Sequence, residues 1–118
     1  GLSHENRVSP RTIATLLVKI KDNPLYAPIV DGLPKAGISG TLKDRFKKDA
    51  PKAVGLVQAK TGWINTSVAL AGYVDVGNQK YVFAVIADHI KPYERYRALA
   101  REAIDKMLGT IASPPAST

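Results

Sequence analysis

Residues 54–87 leave this chain the least freedom. Three runs of strand-forming residues follow one another there, 54–60, 67–76 and 81–87, and only Gly77-Asn78-Gln79-Lys80 separates the last two. A glycine–asparagine step between two such runs predicts a tight hairpin, so the runs form an antiparallel meander. The third run, Tyr-Val-Phe-Ala-Val-Ile-Ala, is almost unbroken apolar and predicts a strand covered on both faces. If it ended the sheet, its edge would lack any proline or charge to blunt it. More sheet is therefore expected beyond it, supplied by residues outside this chain.

Helices are expected on either side of the meander. Ser9-Pro10 is a helix start, with serine as N-cap and proline at the first helical position. Ile13, Leu16, Leu17 and Ile20 then form one apolar stripe, and Asp22-Asn23-Pro24 ends the helix. Residues 24–41 carry three prolines and three glycines and are expected to be loop with at most short helical turns. A short helix capped by Thr41 is expected over 41–48, stopped before Pro51. Pro92 is expected to open a last helix. Its apolar face carries Tyr96, Leu99, Ala100, Ala103, Ile104, Met107, Leu108 and Ile111; Arg95, Arg97, Arg101, Glu102, Asp105 and Lys106 lie opposite, and Gly109 serves as the C′ residue. The expected class is α/β, more narrowly α+β: an antiparallel sheet flanked by helices. One domain segment is expected over 1–112, with a disordered Ser/Pro/Ala tail over 113–118.

Composition removes several chemistries. The chain lacks cysteine, which excludes disulfides, iron–sulfur clusters, cysteine-based zinc sites and a thiol nucleophile. No apolar run approaches the roughly 20 residues a membrane helix needs. Seventeen Lys+Arg against 10 Asp+Glu give a net charge of +7, which permits an anionic partner. The densest basic cluster, Lys43, Arg45, Lys47, Lys48 and Lys52, is interrupted by Asp44 and Asp49 and reads as a solvated surface. No zinc finger, aromatic RNA-binding pattern or basic heptad region accompanies it, so nucleic acid is not expected as a partner. His89 beside Asp88 belongs at a strand end, with no metal-ligand spacing around it. Tyr73, Tyr81, Phe83 and Tyr96 are expected in core and rim. The single methionine is Met107, so the chain is expected to be a processed or partial protein.

The chemistry centres on Lys60-Thr61-Gly62, placed by this reading at the end of the first strand. A phosphate-binding P-loop needs a glycine directly before the lysine, and Ala59 stands there. A second reading is the K-T-G box of penicillin-interacting serine enzymes, and a third is simply a lysine at a strand end. Residues 1–10, Gly-Leu-Ser-His-Glu-Asn-Arg-Val-Ser-Pro, resemble the end of the D-G-S-G-L-S-R-x-N segment of the class C low-molecular-mass penicillin-binding proteins, the S13-type D-alanyl-D-alanine carboxypeptidases. Residues 33–42 with Arg45 resemble that family's L-P-x-A-G-x-x-G-T/S-L-x-x-R stretch. Ala59-Lys60-Thr61-Gly62 and Leu70-Ala71-Gly72-Tyr73 match its K-T-G strand and the strand after it.

The resemblance implies a five-stranded sheet of the serine β-lactamase and penicillin-binding transpeptidase type, of which the meander is part. It implies that Lys60 sets a positive charge beside the attacking and leaving groups, and that the Thr61 hydroxyl holds the substrate's C-terminal carboxylate. Gly62 would let the peptide approach as an added strand. The Trp63 N–H, with that of the serine nucleophile, would form the oxyanion hole. Leu2, His4, Ile64 and Asn65 would line the pocket for the stem-peptide side chain. Two residues depart from the pattern: Trp63 stands where the family usually has Ser or Thr, and His4 replaces the usual Arg. No serine here is followed by lysine three residues on, and no S-x-N box occurs. The chain is thus expected to be the C-terminal portion of an exported D,D-carboxypeptidase, with D,D-endopeptidase action a further option, and inactive alone. Its expected partners are a peptidoglycan stem peptide or β-lactam and the rest of the same protein; no cofactor or metal is implied. Two alternatives stay open: a basic module binding anionic envelope polymer or nucleic acid, and a non-catalytic penicillin-binding scaffold.

Overall fold

The structure, a computed structural model, describes residues 9–64 and 66–112. Three strands, β1 (Val57–Ile64), β2 (Ser67–Val76) and β3 (Gln79–Ala87), form one antiparallel sheet in the order β1-β2-β3. Gly77 takes φ 61° at the first position of the two-residue β2–β3 turn, where a side chain would be strained. The turn sets the register, pairing Val76 with Gln79 and Asp75 with Lys80, whose side chains meet at 2.8 Å. Because the pleat alternates, Val68, Leu70 and Val74 face one side of β2 and Tyr73 the other.

A helix covers each face. Helix α1 (Pro10–Lys21) starts as expected, the Ser9 hydroxyl accepting the Thr12 N–H at 3.1 Å. Ile13, Leu17 and Ile20 are half-buried, Leu16 exposed, and the Tyr73 hydroxyl donates to the Leu17 carbonyl at 2.8 Å. A 3-10 turn (Pro24–Tyr26) and the short α2 (Ala27–Asp31) follow. Helix α3 (Glu94–Ala112) covers the opposite face, where Ile104 and Leu108 join Val57, Ala59, Val68, Leu70 and Val74 in the core. Leu42, Phe46, Ala50 and Ala53, from the loop before β1, complete that core.

The structure corrects several sequence expectations. Residues 41–48 are not a helix: a 3-10 turn (Gly40–Leu42) gives way to turns, and Phe46 adopts φ 75°. That left-handed conformation, costly for a bulky side chain, accompanies the burial of the Phe46 ring in the core. The first strand begins at Val57 rather than Val54, after a 3-10 turn (Pro51–Ala53) that packs against α3. Helix α3 begins at Glu94, two residues after Pro92, and its buried stripe is rotated from the expected one. Asp105 is only 3% exposed, whereas Leu99, Met107 and Ile111 are exposed. Gly109 lies within α3 rather than beyond it; an added Cβ would come within 2.7 Å of the Ala50 Cβ. Strand β3 is not covered along its whole length, Tyr81 and Ile86 being exposed. The tail, 113–118, lies outside the described residues.

Gly72 faces Ala59 across the β1–β2 ladder, and a Cβ there would press on the Gln58 carbonyl oxygen and lie 2.6 Å from the Ala59 Cα. Backbone cannot yield as a flexible side chain can. Gly72→Ala should therefore lower stability by about 2 kcal/mol, read as an earlier urea unfolding midpoint, with overpacking as the cause.

Candidate functional site

Lys60, Thr61, Gly62 and Trp63 occupy the middle and far half of β1, not its tip. The near half of the outer edge is covered. The Ala59 N–H donates to the Pro34 carbonyl at 3.0 Å, and the Ala36 N–H to the Val57 carbonyl at 2.8 Å. Residues with outward-pointing backbone groups alternate along a strand, so Thr61 and Trp63 turn theirs to this same edge, beyond the reach of residues 34–36. Among the described residues, the next step of the ladder is thus open. Lys60 folds over it, donating from Nζ to the Thr61 carbonyl at 2.6 Å.

Side chains alternate in the other sense. Thr61 and Trp63 share the α3 face of the sheet with Val57 and Ala59, and Lys60 and Gly62 lie on the α1 face. Gly62 is exposed, and a Cβ there would meet nothing nearer than the Ala69 Cβ at 3.9 Å. Among the described residues, no packing requires glycine at this position, in contrast to Gly72.

An open groove of about 300 Å³ lies on the α3 side of the edge, lined by Thr41, Arg45, Thr61, Trp63, Glu94 and Arg101. The Thr61 hydroxyl donates to the Thr41 hydroxyl at 3.1 Å. The exposed Trp63 ring carries the Arg97 guanidinium 5.3 Å from its centroid, a cation–π contact. Glu94 accepts from Arg97 at 3.0 and 3.2 Å and from Arg101. The hydrogen bond from Arg101, with the charges of both arginines, holds the Glu94 carboxyl below its ordinary pKa. At the floor, Arg45 grips Asp105 through Nε at 3.2 Å and Nη2 at 2.6 Å. Burial pushes the Asp105 carboxyl up, and Arg45 opposes that push.

This chain matches the D-Ala-D-Ala carboxypeptidase 3 (S13) family over residues 1–110. It belongs to that family. A carboxypeptidase DacB of Mycolicibacterium smegmatis is 36% identical over 118 residues, an alignment spanning 96% of this chain and 24% of that protein. A D-alanyl-D-alanine carboxypeptidase DacB of Haemophilus influenzae is 35% identical over 74 residues, covering 63% of this chain and 15% of that one. The crystal structure of penicillin binding protein 4 (dacB) from Haemophilus influenzae, complexed with a β-lactam, superposes with a TM-score of 0.75 at 28% identity, over 91% of this chain and 26% of that one. The S13 chain described here thus spans about a quarter of the length of its M. smegmatis relative.

Among the expected site residues, the structure brings Lys60, Thr61, Gly62 and Trp63 to one edge. Ile64 ends the same strand. Leu2, His4 and Asn65 lie outside the described residues. Thr41, Glu94 and Arg101 were not expected at the site. Arg45 could be seen as part of a family pattern, but nothing in its spacing tied it to Asp105, 60 residues away. His89 is solvent-exposed at the end of β3, and no group of three or more metal-ligating side chains occurs among the described residues.

Arg45→Met would leave the Asp105 carboxylate buried without a partner, a loss of about 3 kcal/mol at pH 7.5. A carboxyl whose folded pKa exceeds its unfolded value favours folding below that value, and this contribution is lost as pH rises through the folded pKa. The deficit of Arg45→Met should therefore shrink as pH falls toward 5, and urea titrations at both pH values would show it.

Proposed function

We propose that this chain supplies the substrate-binding K-T-G strand of a serine-type D-alanyl-D-alanine carboxypeptidase. The whole enzyme removes the terminal D-Ala of peptidoglycan stem peptides through an acyl-enzyme, is acylated by β-lactams, and works in the cell envelope after export. One observation carries the reading: among the described residues, the outer edge of β1 is covered at Val57 and Ala59 and open at Thr61 and Trp63, beside a glycine that no packing among those residues requires.

On this reading the stem peptide adds to the open edge as an antiparallel strand, using the Thr61 and Trp63 backbone groups. Gly62, without a Cβ, allows close approach. The serine hydroxyl, from the rest of the protein, attacks the carbonyl of the penultimate D-Ala; its proton passes to a base and then to the amine of the leaving D-Ala. The Trp63 N–H stabilises the negative charge on the attacked carbonyl oxygen. Lys60 must swing from the Thr61 carbonyl toward the reacting centre, where its charge stabilises attack and departure. Water then hydrolyses the ester. Endopeptidase cleavage follows the same steps with a crosslinked peptide as leaving group. The substrate pocket attributed to Leu2, His4, Ile64 and Asn65 and the five-stranded sheet belong to the same proposal. The outer edge of β3, unpaired among the described residues, is where further strands would pair.

In the full-length protein, Lys60→Ala should lower covalent labelling by a fluorescent penicillin about 10²-fold or more. Labelling at the unaltered rate would overturn the assignment. The 118-residue chain alone, lacking a Ser-x-x-Lys, should take up no label. Gly62→Ala should keep or slightly raise the thermal midpoint, since alanine is better than glycine within a strand by about 0.5–1 kcal/mol. The same substitution should slow acylation, and that divergence between stability and labelling distinguishes close substrate approach from packing.

A further inference from the structure

The groove beside the open edge holds more polar groups than the K-T-G pattern accounts for. Trp63 removes a hydroxyl from β1, and its indole, with Arg97 on its face, forms one wall of the groove. A different hydroxyl stands opposite. Thr41 belongs to the Gly40–Leu42 turn, and its Oγ1 accepts from Thr61 Oγ1 at 3.1 Å. Two hydroxyls bonded to each other use one proton between them, so one O–H is left to donate to a further acceptor.

The groove also has a positive wall. Arg45 is committed to Asp105 at its floor, but Arg101 is held by Glu94, whose side chain is 64% exposed. An exposed carboxylate gains little from such a pair because water competes for it, so an entering carboxylate can take its place on the guanidinium. Glu94 also serves Arg97, which keeps it within the cluster after such an exchange.

We propose that Thr41 and Arg101 supply the carboxylate recognition that Trp63 takes away from β1. The Thr41–Thr61 hydroxyl pair and the Arg101 guanidinium bind the C-terminal carboxylate of the substrate, and Glu94 yields Arg101 to it. Thr41 is thereby a specificity-determining residue contributed by the loop before β1, and Arg101 one contributed by α3. The proposal rests on the carboxypeptidase reading above.

The test compares kcat/KM in the full-length protein for two peptides ending in D-Ala-D-Ala, one with a free C-terminal carboxylate and one with a C-terminal amide. Thr41→Val and Arg101→Gln should each cut the preference for the carboxylate peptide about tenfold, near 1.4 kcal/mol, and Thr41→Ser should restore it. Equal losses on both peptides, or no loss, would overturn the proposal, because a purely structural role does not distinguish carboxylate from amide. Penicillin labelling of the Lys60→Ala protein separates the two levels. If labelling persists without Lys60, the carboxypeptidase reading itself fails. If labelling requires Lys60 while the Thr41 and Arg101 variants keep the wild-type preference, only the carboxylate assignment falls.

Discussion

The bidentate pair between Arg45 and Asp105 ties the irregular half of this molecule to its regular half. Arg45 lies in a loop with little repetitive structure, Asp105 on the buried face of α3, and the pair is nearly sealed from solvent. A carboxylate in that position is tolerated only while its charge and oxygens are satisfied. The loop from Pro34 to Ala53 therefore has one firm anchorage on the helix. It has another on β1, where residues 34–36 pair with the strand. Thr41 sits between these two fixed points, which is why a turn of three residues can hold its hydroxyl against Thr61. The same anchorage fits Phe46 into the core despite its left-handed backbone, the guanidinium of Arg45 lying 5.8 Å from the ring centroid.

The β1 edge has two different regions in consequence. Its first half is closed by the backbone of residues 34–36, so the strand cannot pair with another chain there. Its second half presents the backbone groups of Thr61 and Trp63 next to a glycine and a lysine. An unprotected edge is ordinarily a hazard for a soluble protein, and a bound strand is one way to use it. Membership of the S13 family gives that edge its context.

Much of the fold was legible because its signals are local. The Ser9-Pro10 cap, the glycine of the β2–β3 turn and the bounds of β2 depend on residues adjacent in sequence, and they stand where the chain's own chemistry puts them. The misreadings share one cause. Residues 41–48 have the composition of a short helix, and Asp105 and Arg101 fall on the polar side of a helical wheel. Local propensity was overridden where a distant partner offered more: core burial for Phe46, Arg45 for Asp105, Ala50 for Gly109. The K-T-G tripeptide was visible at once. Its place in mid-strand was not, because the turn over residues 51–56 is set by packing against α3.

By itself, then, the sequence determined the order of the elements, the antiparallel meander and the place of the K-T-G tripeptide in its first run, since alternation, capping and turn geometry act over a few residues. Only the tertiary structure decided which half of β1 stays open, which face of α3 is buried, and that Thr41 and Arg101 meet Thr61 in one groove. Those outcomes depend on contacts between residues 20 to 60 positions apart, and no short-range pattern encodes a partner that far away.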